Sequence, residues 1–322
     1  MKQFFGVLFG GLFAVGFGIA VAYGGSLAWR SFRPHVASLG EFEIMEQTSA
    51  QTIKTDATKV SGFKRVILYT AEQEEDLVNA AAFALPAAAD GKVTASAYIV
   101  KNLTRGDVAI EHNSEKIVPI ASLTKLVTAV IARRFIIPDE KITITKEIVS
   151  TYGNTASLTA GEVFRAEDLY YPLLMVSSND AAEALAQDYG REKFIRAMND
   201  FAQAIGAYRT YFDDPSGLSE KNVSSAKDMV LILDWIRKND PKIIELTLQK
   251  EKIIRSHVWT NPTHFLNWSS YVGGKNGYTP EADRTTASLF TLGKNKNLYA
   301  VIALGSSSRD DDMLKLLEKV KE

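Results

Sequence analysis

Ser122 and Lys125 lie three residues apart at the start of a strongly apolar segment, PIASLTKLVTAVIA, which spans residues 119–132. The apolar residues of this segment recur at helical spacing, which predicts a helix with Ser122 at its beginning. Residues three apart share one face of a helix, so the amine would lie beside the hydroxyl. Burial lowers the pKa of a lysine, and a neutral amine can take a proton from serine. The spacing therefore predicts a nucleophilic serine with a lysine as its general base.

The same serine-to-lysine spacing occurs at three places, beginning at Ser61, Ser122 and Ser224. By itself it is a weak signal, because a serine at a helix start commonly caps the helix while a lysine one turn later extends to solvent. This simpler interpretation fits Ser224 with Lys227. It stays open for Ser122 until other parts of the chain are considered.

Two further segments carry polar groups suited to the same chemistry. Ser177-Ser178-Asn179 lies between two predicted apolar helices and supplies a hydroxyl that can relay a proton and a carboxamide that can hold a substrate. Its simpler interpretation is a cap for the following helix. Residues 273–279, GGKNGYT, place Lys275 between glycines that let a backbone approach closely. A turn with an exposed lysine is the alternative for that segment.

The order Ser-x-x-Lys, Ser-x-Asn and Lys-x-Gly resembles the motifs of the penicillin-recognising serine acyl-enzymes. The blocks PIASLTKLVTA, LLMVSSNDAAEALA, FDDPSGLS and GGKNGYTPEA, with the Gly-Glu pair at 161–162, resemble more narrowly the D-alanyl-D-alanine carboxypeptidases, which are low-molecular-mass penicillin-binding proteins. The likeness covers about residues 95–317. It implies a serine hydrolase that removes the terminal D-alanine from peptidoglycan stem peptides, is inhibited by β-lactam antibiotics and uses neither a cofactor nor a metal.

The resemblance implies a role for each motif residue. Ser122 would be the nucleophile that attacks the carbonyl between the two terminal D-alanines, and Lys125 would be its general base. Ser177 and Asn179 match the second motif, and Ser177 would pass a proton to the departing D-alanine. Lys275 would favour a negatively charged substrate and support Ser177.

The resemblance also implies a set of substrate-binding groups. The backbone N–H groups of Ser122 and Tyr278 would form an oxyanion hole. The third motif is usually Lys-Thr-Gly, whereas this chain has Asn276 in place of the threonine, so an amide N–H replaces a hydroxyl that would face the substrate carboxylate. Arg309 would bind that carboxylate, and a solvated surface position is its alternative. The implied substrate-binding residues are Asn276, Gly277, Tyr278, Thr279 and Arg309.

Composition excludes several other functions. The net charge is −1 and basic residues do not cluster, which argues against a nucleic-acid partner. The absence of cysteine excludes thiolate catalysis. The four histidines lack the spacing of a zinc peptidase, and residues 161–171, GEVFRAEDLYY, lack the glutamate pattern of a class A β-lactamase. The alternative that remains is a non-catalytic or weakly active penicillin-binding-protein homologue that binds peptidoglycan peptides.

The N-terminal region predicts attachment to a membrane. Residues 4–29 contain no charged side chain and are long enough to span a bilayer, so residues 1–33 are expected to form a transmembrane anchor, with a cleaved signal peptide as the alternative. Residues 34–90 would be a tether and N-terminal extension, and residues 91–322 the catalytic domain. We expect a single-pass protein of the bacterial cell membrane, in contact with membrane lipid, whose catalytic domain faces the periplasm or cell wall.

Elements that could position these motifs are predicted along the domain. Strand patterns lie at both of its ends, and helical patterns lie between them, which predicts an α+β fold. By resemblance this is a β-lactamase/transpeptidase-like fold, with an antiparallel sheet flanked by helices, a helical cluster and an N-terminal transmembrane helix. The predicted strands are 94–100, 107–111, 285–291 and 298–304, and the predicted helices are 166–175, 180–189, 194–205, 225–237 and 312–321.

Overall fold

The computed structural model describes residues 92–320. The predicted transmembrane anchor at 1–33 and the tether and extension at 34–90 lie outside the described residues. Within residues 92–320, every helix is too short or too polar to cross a membrane.

The described part of the chain contains eleven strands and eight α-helices. The strands are β1 (Ala97–Asn102), β2 (Val108–His112), β3 (Val118–Pro119), β4 (Lys141–Thr143), β5 (Val163–Arg165), β6 (Val223–Ser224), β7 (Glu251–Ile254), β8 (His257–Thr260), β9 (Tyr271–Thr279), β10 (Asp283–Leu292) and β11 (Asn297–Ser306). The helices are α1 (Thr124–Phe135), α2 (Lys146–Val149), α3 (Ala166–Met175), α4 (Asn179–Tyr189), α5 (Arg191–Ala204), α6 (Ala226–Asn239), α7 (Pro241–Thr247) and α8 (Arg309–Glu318). Single 3-10 turns occupy Ala121–Leu123 and His264–Asn267.

The main sheet is built from both ends of the described chain. Its five strands are antiparallel and run in the order β2-β1-β11-β10-β9, so the N-terminal hairpin joins the C-terminal strands through β1 and β11. Central β10 and β11 carry continuous buried runs, as expected for strands covered on both faces. This arrangement confirms the predicted antiparallel sheet and places β9, with the third motif, at one edge of the sheet.

Helix α8 packs on one face of this sheet. Its Met313, Leu316 and Leu317 share a buried cluster with Phe290 of β10 and Val301 of β11. The helix begins at Arg309, three residues before the predicted start, and three aspartates lie in its first turn, where carboxylates interact favourably with the helix dipole. The earlier start brings Arg309 itself into the helix.

Helix α1 is the central helix of a cluster that it forms with α3, α4 and α5. Its residues Thr124 to Ala132 are all buried, and it contacts α3, α4 and α5. A helix buried on every side is usually apolar all round. Lys125 breaks that rule, so its amine needs partners inside the cluster.

Candidate active site

Ser122 lies in the 3-10 turn that immediately precedes α1. The N-cap of α1 falls on Leu123, so the capping interpretation does not apply to the hydroxyl of Ser122. That hydroxyl lies 2.9 Å from Nζ of Lys125. The turn is bent by Ala121, whose φ is 48°, and Gly217 packs against it so closely that a Cβ there would overlap the carbonyl oxygen of Ala121. Only glycine at 217 permits this approach.

Lys125 is fully buried, and three oxygen atoms surround its Nζ. Besides the Ser122 hydroxyl, Nζ lies 2.7 Å from Oδ1 of Asn179 and 2.5 Å from the carbonyl oxygen of Ser216. Burial lowers the pKa of Lys125 well below its usual value, the positive charge of Lys275 lowers it further, and Asp214 opposes both only in part. This environment therefore favours the neutral form of the amine.

The three partners of Lys125 also decide where its lone pair points. A neutral amine has two N–H groups and one lone pair, and the two carbonyl oxygens can only accept hydrogen bonds. In the neutral amine the two N–H groups would therefore go to Asn179 and Ser216, which leaves the lone pair for the hydroxyl of Ser122. This is the geometry that a general base for Ser122 requires.

In the second motif, Ser178 caps a helix, whereas Ser177 and Asn179 face the cavity. Ser178 is the N-cap of α4, since its hydroxyl accepts from the backbone N–H of Ala181 at 3.1 Å. The capping function thus belongs to Ser178 and leaves its neighbours free for the cavity. Ser177, with φ 61°, turns its hydroxyl to within 3.0 Å of Nζ of Lys275. Asn179 bridges Lys125 and the carbonyl oxygen of Tyr152, to which its Nδ2 donates at 2.7 Å.

Lys275 lies on edge strand β9 and is buried, contrary to the alternative of an exposed turn lysine. Burial lowers its pKa to about 7, and the charge of Arg309 contributes to the lowering. Next to it, a Cβ at Gly277 would come within 2.8 Å of the backbone nitrogen of Ser122. The third motif and the nucleophile are therefore in direct contact, and the missing side chain leaves the Ser122 N–H open to the cavity.

The lowered pKa of Lys275 predicts a pH dependence of stability. In the unfolded chain this lysine holds its proton up to about 10.5, whereas in the fold it loses the proton at about 7. Between these values the unfolded state binds more protons, so the free energy of unfolding should rise with pH, by at most about 1.4 kcal/mol per unit for one group. Urea unfolding at both ends of this window should show a smaller rise for Lys275→Met than for the unaltered protein. Equal rises would contradict the assigned shift.

A loop that contains a predicted turn supplies one of the two carbonyl acceptors for Lys125. The carboxylate of Asp214 accepts from the backbone N–H groups of Ser216, Gly217 and Ser219, each at 2.6 Å. Burial would raise its pKa, but these hydrogen bonds outweigh burial and hold the pKa below its usual value. These hydrogen bonds hold the turn together and place the Ser216 carbonyl against the amine. In the sequence this loop is indicated by the Asp-Pro-Ser-Gly turn and by the family-like block FDDPSGLS, neither of which identifies the Ser216 carbonyl as a partner of Lys125.

These groups meet at a cavity of about 610 Å³. Lys125 lies beneath its floor, and Tyr278 stands 60 % exposed at its rim. Arg309 lines the cavity too, which favours its predicted place over a solvated surface position, although it also pairs with Asp310 at 2.9 Å. Thr263 lines the cavity and was not predicted. The predicted residues that line the cavity are Ser122, Ser177, Asn179, Lys275, Asn276, Gly277, Tyr278, Thr279 and Arg309.

Comparison with known proteins identifies the family. Residues 83–306 match the model of the peptidase S11 family, described as D-alanyl-D-alanine carboxypeptidase. The chain therefore belongs to the D-alanyl-D-alanine carboxypeptidase family of serine-type hydrolases, and the resemblance seen in its sequence is confirmed.

Individual relatives agree with this assignment. The chain is 32 % identical over 232 residues to a D-alanyl-D-alanine endopeptidase of Pseudomonas aeruginosa, covering 68 % of this chain and 74 % of that protein. It is 37 % identical over 199 residues to the D-alanyl-D-alanine endopeptidase of Haemophilus influenzae, covering 55 % and 68 %.

Solved structures confirm the penicillin-binding, transpeptidase-like α+β fold. The Streptomyces K15 DD-transpeptidase superposes with a TM-score of 0.65 at 25 % identity, covering 71 % of this chain and 97 % of that one. Penicillin-binding protein D2 of Listeria monocytogenes in its cefotaxime-bound form gives 0.64 at 26 % identity, covering 71 % and 97 %. The predicted transmembrane helix lies outside the described residues.

Proposed function

We propose that this protein is a membrane-anchored serine D-alanyl-D-alanine carboxypeptidase that works through an acyl-enzyme on Ser122. The observation that carries the proposal is the set of contacts around Lys125. Its amine is buried, Nζ contacts two carbonyl oxygens that can only accept, and the neutral amine would keep its lone pair for the Ser122 hydroxyl 2.9 Å away. A role in packing alone would not favour a buried amine aimed at a hydroxyl on a cavity wall.

The geometry supports the following sequence of steps. The proton of the Ser122 hydroxyl moves to Lys125 as Oγ attacks the carbonyl between the two D-alanines, while the N–H groups of Ser122 and Tyr278 stabilise the oxyanion. The C–N bond then breaks, and the departing D-alanine nitrogen takes a proton from Ser177, which Lys275 replaces from 3.0 Å away. Water then adds to the resulting ester: its hydroxyl goes to the acyl carbon, its proton replaces the one that Lys275 gave up, and Lys125 returns its proton to Oγ of Ser122. The shortened peptide leaves and Ser122 is restored.

The substrate, inhibitors and location follow from the same proposal. Lys275 and Arg309 give the cavity positive charge suited to a peptide that ends in a carboxylate, such as a peptidoglycan stem ending in D-Ala-D-Ala. β-lactam antibiotics would acylate Ser122. Residues 1–33 would anchor the chain in bacterial membrane lipid and residues 34–90 would act as a tether. Residues 91–322 would then form the catalytic domain on the extracytoplasmic side.

Two other functions use the same cavity. Several relatives are D-alanyl-D-alanine endopeptidases, which supports cleavage of a bond within a peptide as a second candidate reaction. The cavity is open to solvent at exposed Tyr152 and Tyr278, so a leaving group larger than D-alanine has room. A homologue that binds peptidoglycan peptides without turnover would keep the cavity but would not form the covalent intermediate.

One experiment separates these functions. The full-length protein in detergent is incubated with a fluorescent penicillin, and the adduct is located by peptide mass spectrometry. In parallel, D-alanine release is measured from diacetyl-L-lysyl-D-alanyl-D-alanine. We expect an adduct on Ser122 together with D-alanine release. An adduct without release, but with cleavage of a cross-linked peptide, would favour the endopeptidase. A folded protein that forms no adduct would overturn the proposal in favour of the non-catalytic homologue.

A further inference from the structure

The side chain of Asn276, the residue at which the third motif departs from its usual form, is held on two sides. Its Oδ1 accepts from the hydroxyl of Thr286, its cross-strand partner on β10, at 2.8 Å. Its Nδ2 donates to the hydroxyl oxygen of Thr263 at 3.0 Å. The Thr286 hydroxyl lies 3.1 Å from that of Ser288, which extends the network into the buried sheet. Asn276 is thereby fixed in one orientation, with its amide N–H aimed at Thr263.

Thr263 is also fixed through its backbone. Its N–H donates to Oδ1 of Asn261 at 3.1 Å, and Nδ2 of Asn261 donates to the carbonyl oxygen of Thr247 on α7 at 3.0 Å. Thr263 therefore reaches the cavity from the segment after β8, with its backbone anchored to α7 and its hydroxyl anchored to the third motif. It is a positioned side chain, half-buried at the cavity wall.

The hydrogen bond from Asn276 determines what the hydroxyl of Thr263 can still do. A hydroxyl carries one donor proton and two acceptor lone pairs, and here a lone pair receives the amide. Within residues 92–320 the structure gives the Thr263 proton no acceptor, so it remains available to a ligand in the cavity. Accepting from Asn276 also polarises the hydroxyl and makes it a better donor.

The surrounding charges indicate which ligand would take that proton. Lys275 and Arg309 line the same cavity, and Arg309 lies close enough to lower the pKa of Lys275. The carboxylates nearby are Glu281 on the cavity wall and Asp310, which pairs with Arg309 at 2.9 Å. A hydroxyl donor in the cavity that Lys275 and Arg309 also line suits a carboxylate, because hydrogen bonds to a charged group are the stronger ones.

We propose that Thr263 determines specificity by donating a hydrogen bond to the terminal carboxylate of the substrate, with Asn276 as the residue that positions it. The inference rests on the proposed function, since it needs a substrate that ends in a carboxylate. Thr263, positioned by Asn276, would then donate the hydrogen bond that the hydroxyl of a threonine at 276 would donate in the usual motif. The departure in the third motif moves the donor to another segment and does not remove it.

The test compares two substrates of the full-length protein, diacetyl-L-lysyl-D-alanyl-D-alanine and the same peptide with a C-terminal amide. The ratio of their kcat/KM values measures carboxylate recognition. For Thr263→Val, which keeps the shape and removes the hydroxyl, we expect this ratio to fall about 10- to 100-fold, mainly through KM, because one hydrogen bond to a charged group is lost. Thr263→Ser should keep the ratio. Thr260→Val, an exposed threonine on β8, is the matched control and should leave the ratio unchanged.

A rescue variant separates recognition from structural damage. In the Thr263→Val background, Asn276→Thr should recover most of the lost ratio, because the new hydroxyl stands where the family's usual threonine stands. The proposal is overturned if Thr263→Val leaves the ratio of the two kcat/KM values unchanged, whether both values fall by the same factor or neither falls. An unchanged ratio would mean that the Asn276 amide is reversed and the Thr263 proton points inward. In either case release of D-alanine by the unaltered protein leaves the proposed function standing, whereas no release at all overturns both.

Discussion

Replacing Lys125 with methionine is expected to slow acylation of Ser122 by a penicillin by about 10²- to 10⁴-fold, the usual contribution of a positioned general base. Methionine keeps most of the buried volume but has no lone pair that could take the Ser122 proton from 2.9 Å away. It also leaves the acceptors of Asn179 and Ser216 without their donor, so some stability should be lost. The rate of labelling by a fluorescent penicillin, measured per mole of folded protein, checks this expectation.

The chain supplies a matched control for Lys125→Met. Lys227 follows Ser224 at the same spacing, but it is 51 % exposed and pairs with Glu115 at 2.8 Å. Lys227→Met should therefore leave the acylation rate as it is. If folded Lys125→Met were labelled as fast as the unaltered protein, Lys125 would not be the base.

The local parts of the site could be predicted from the sequence because their geometry is set within a few residues. Ser122 and Lys125 meet because one helical turn separates them, and Ser178 caps α4 because serine accepts from a first-turn N–H. The same holds for most elements: α3 covers the predicted 166–175, and β10 and β11 contain the predicted strands. Local hydrogen bonding and periodicity decide these features.

The rest of the site could not be predicted because it depends on contacts between distant segments and on backbone atoms. The carbonyl of Ser216, which accepts from Lys125, lies 91 residues away along the chain, and any residue type could supply a carbonyl there. The backbone carbonyl of Tyr152, which accepts from Asn179, likewise cannot be recognised from its residue type. Thr263 reaches Asn276 only through the folding of the segment before β9 against the sheet edge. Such partners can be identified only once the fold has brought these loops against the helices and the sheet.

The second large effect is expected for Ser122→Ala, which should abolish penicillin labelling and D-alanine release. The variant removes the hydroxyl oxygen that would attack the substrate, so the ester on Ser122 cannot form. Stability should change little, because the hydroxyl is not a helix cap and its partner is a single amine. One lost hydrogen bond is worth about 1 kcal/mol. Thermal unfolding and labelling, measured on the same preparation, check both halves of the expectation.

Ser224→Ala is the counterpart that separates chemistry from stability. The hydroxyl of Ser224 is buried and lies 2.8 Å from that of Thr210, so its removal should lower the midpoint of unfolding while labelling persists. Labelling that persists in Ser122→Ala would contradict the assignment of the nucleophile. The adduct would then be sought on Ser177, whose hydroxyl lies 3.0 Å from Lys275, a lysine with its pKa lowered to about 7. The cavity holds two serine–lysine pairs, and the lone pair of Lys125, aimed by two carbonyl oxygens, is what favours Ser122.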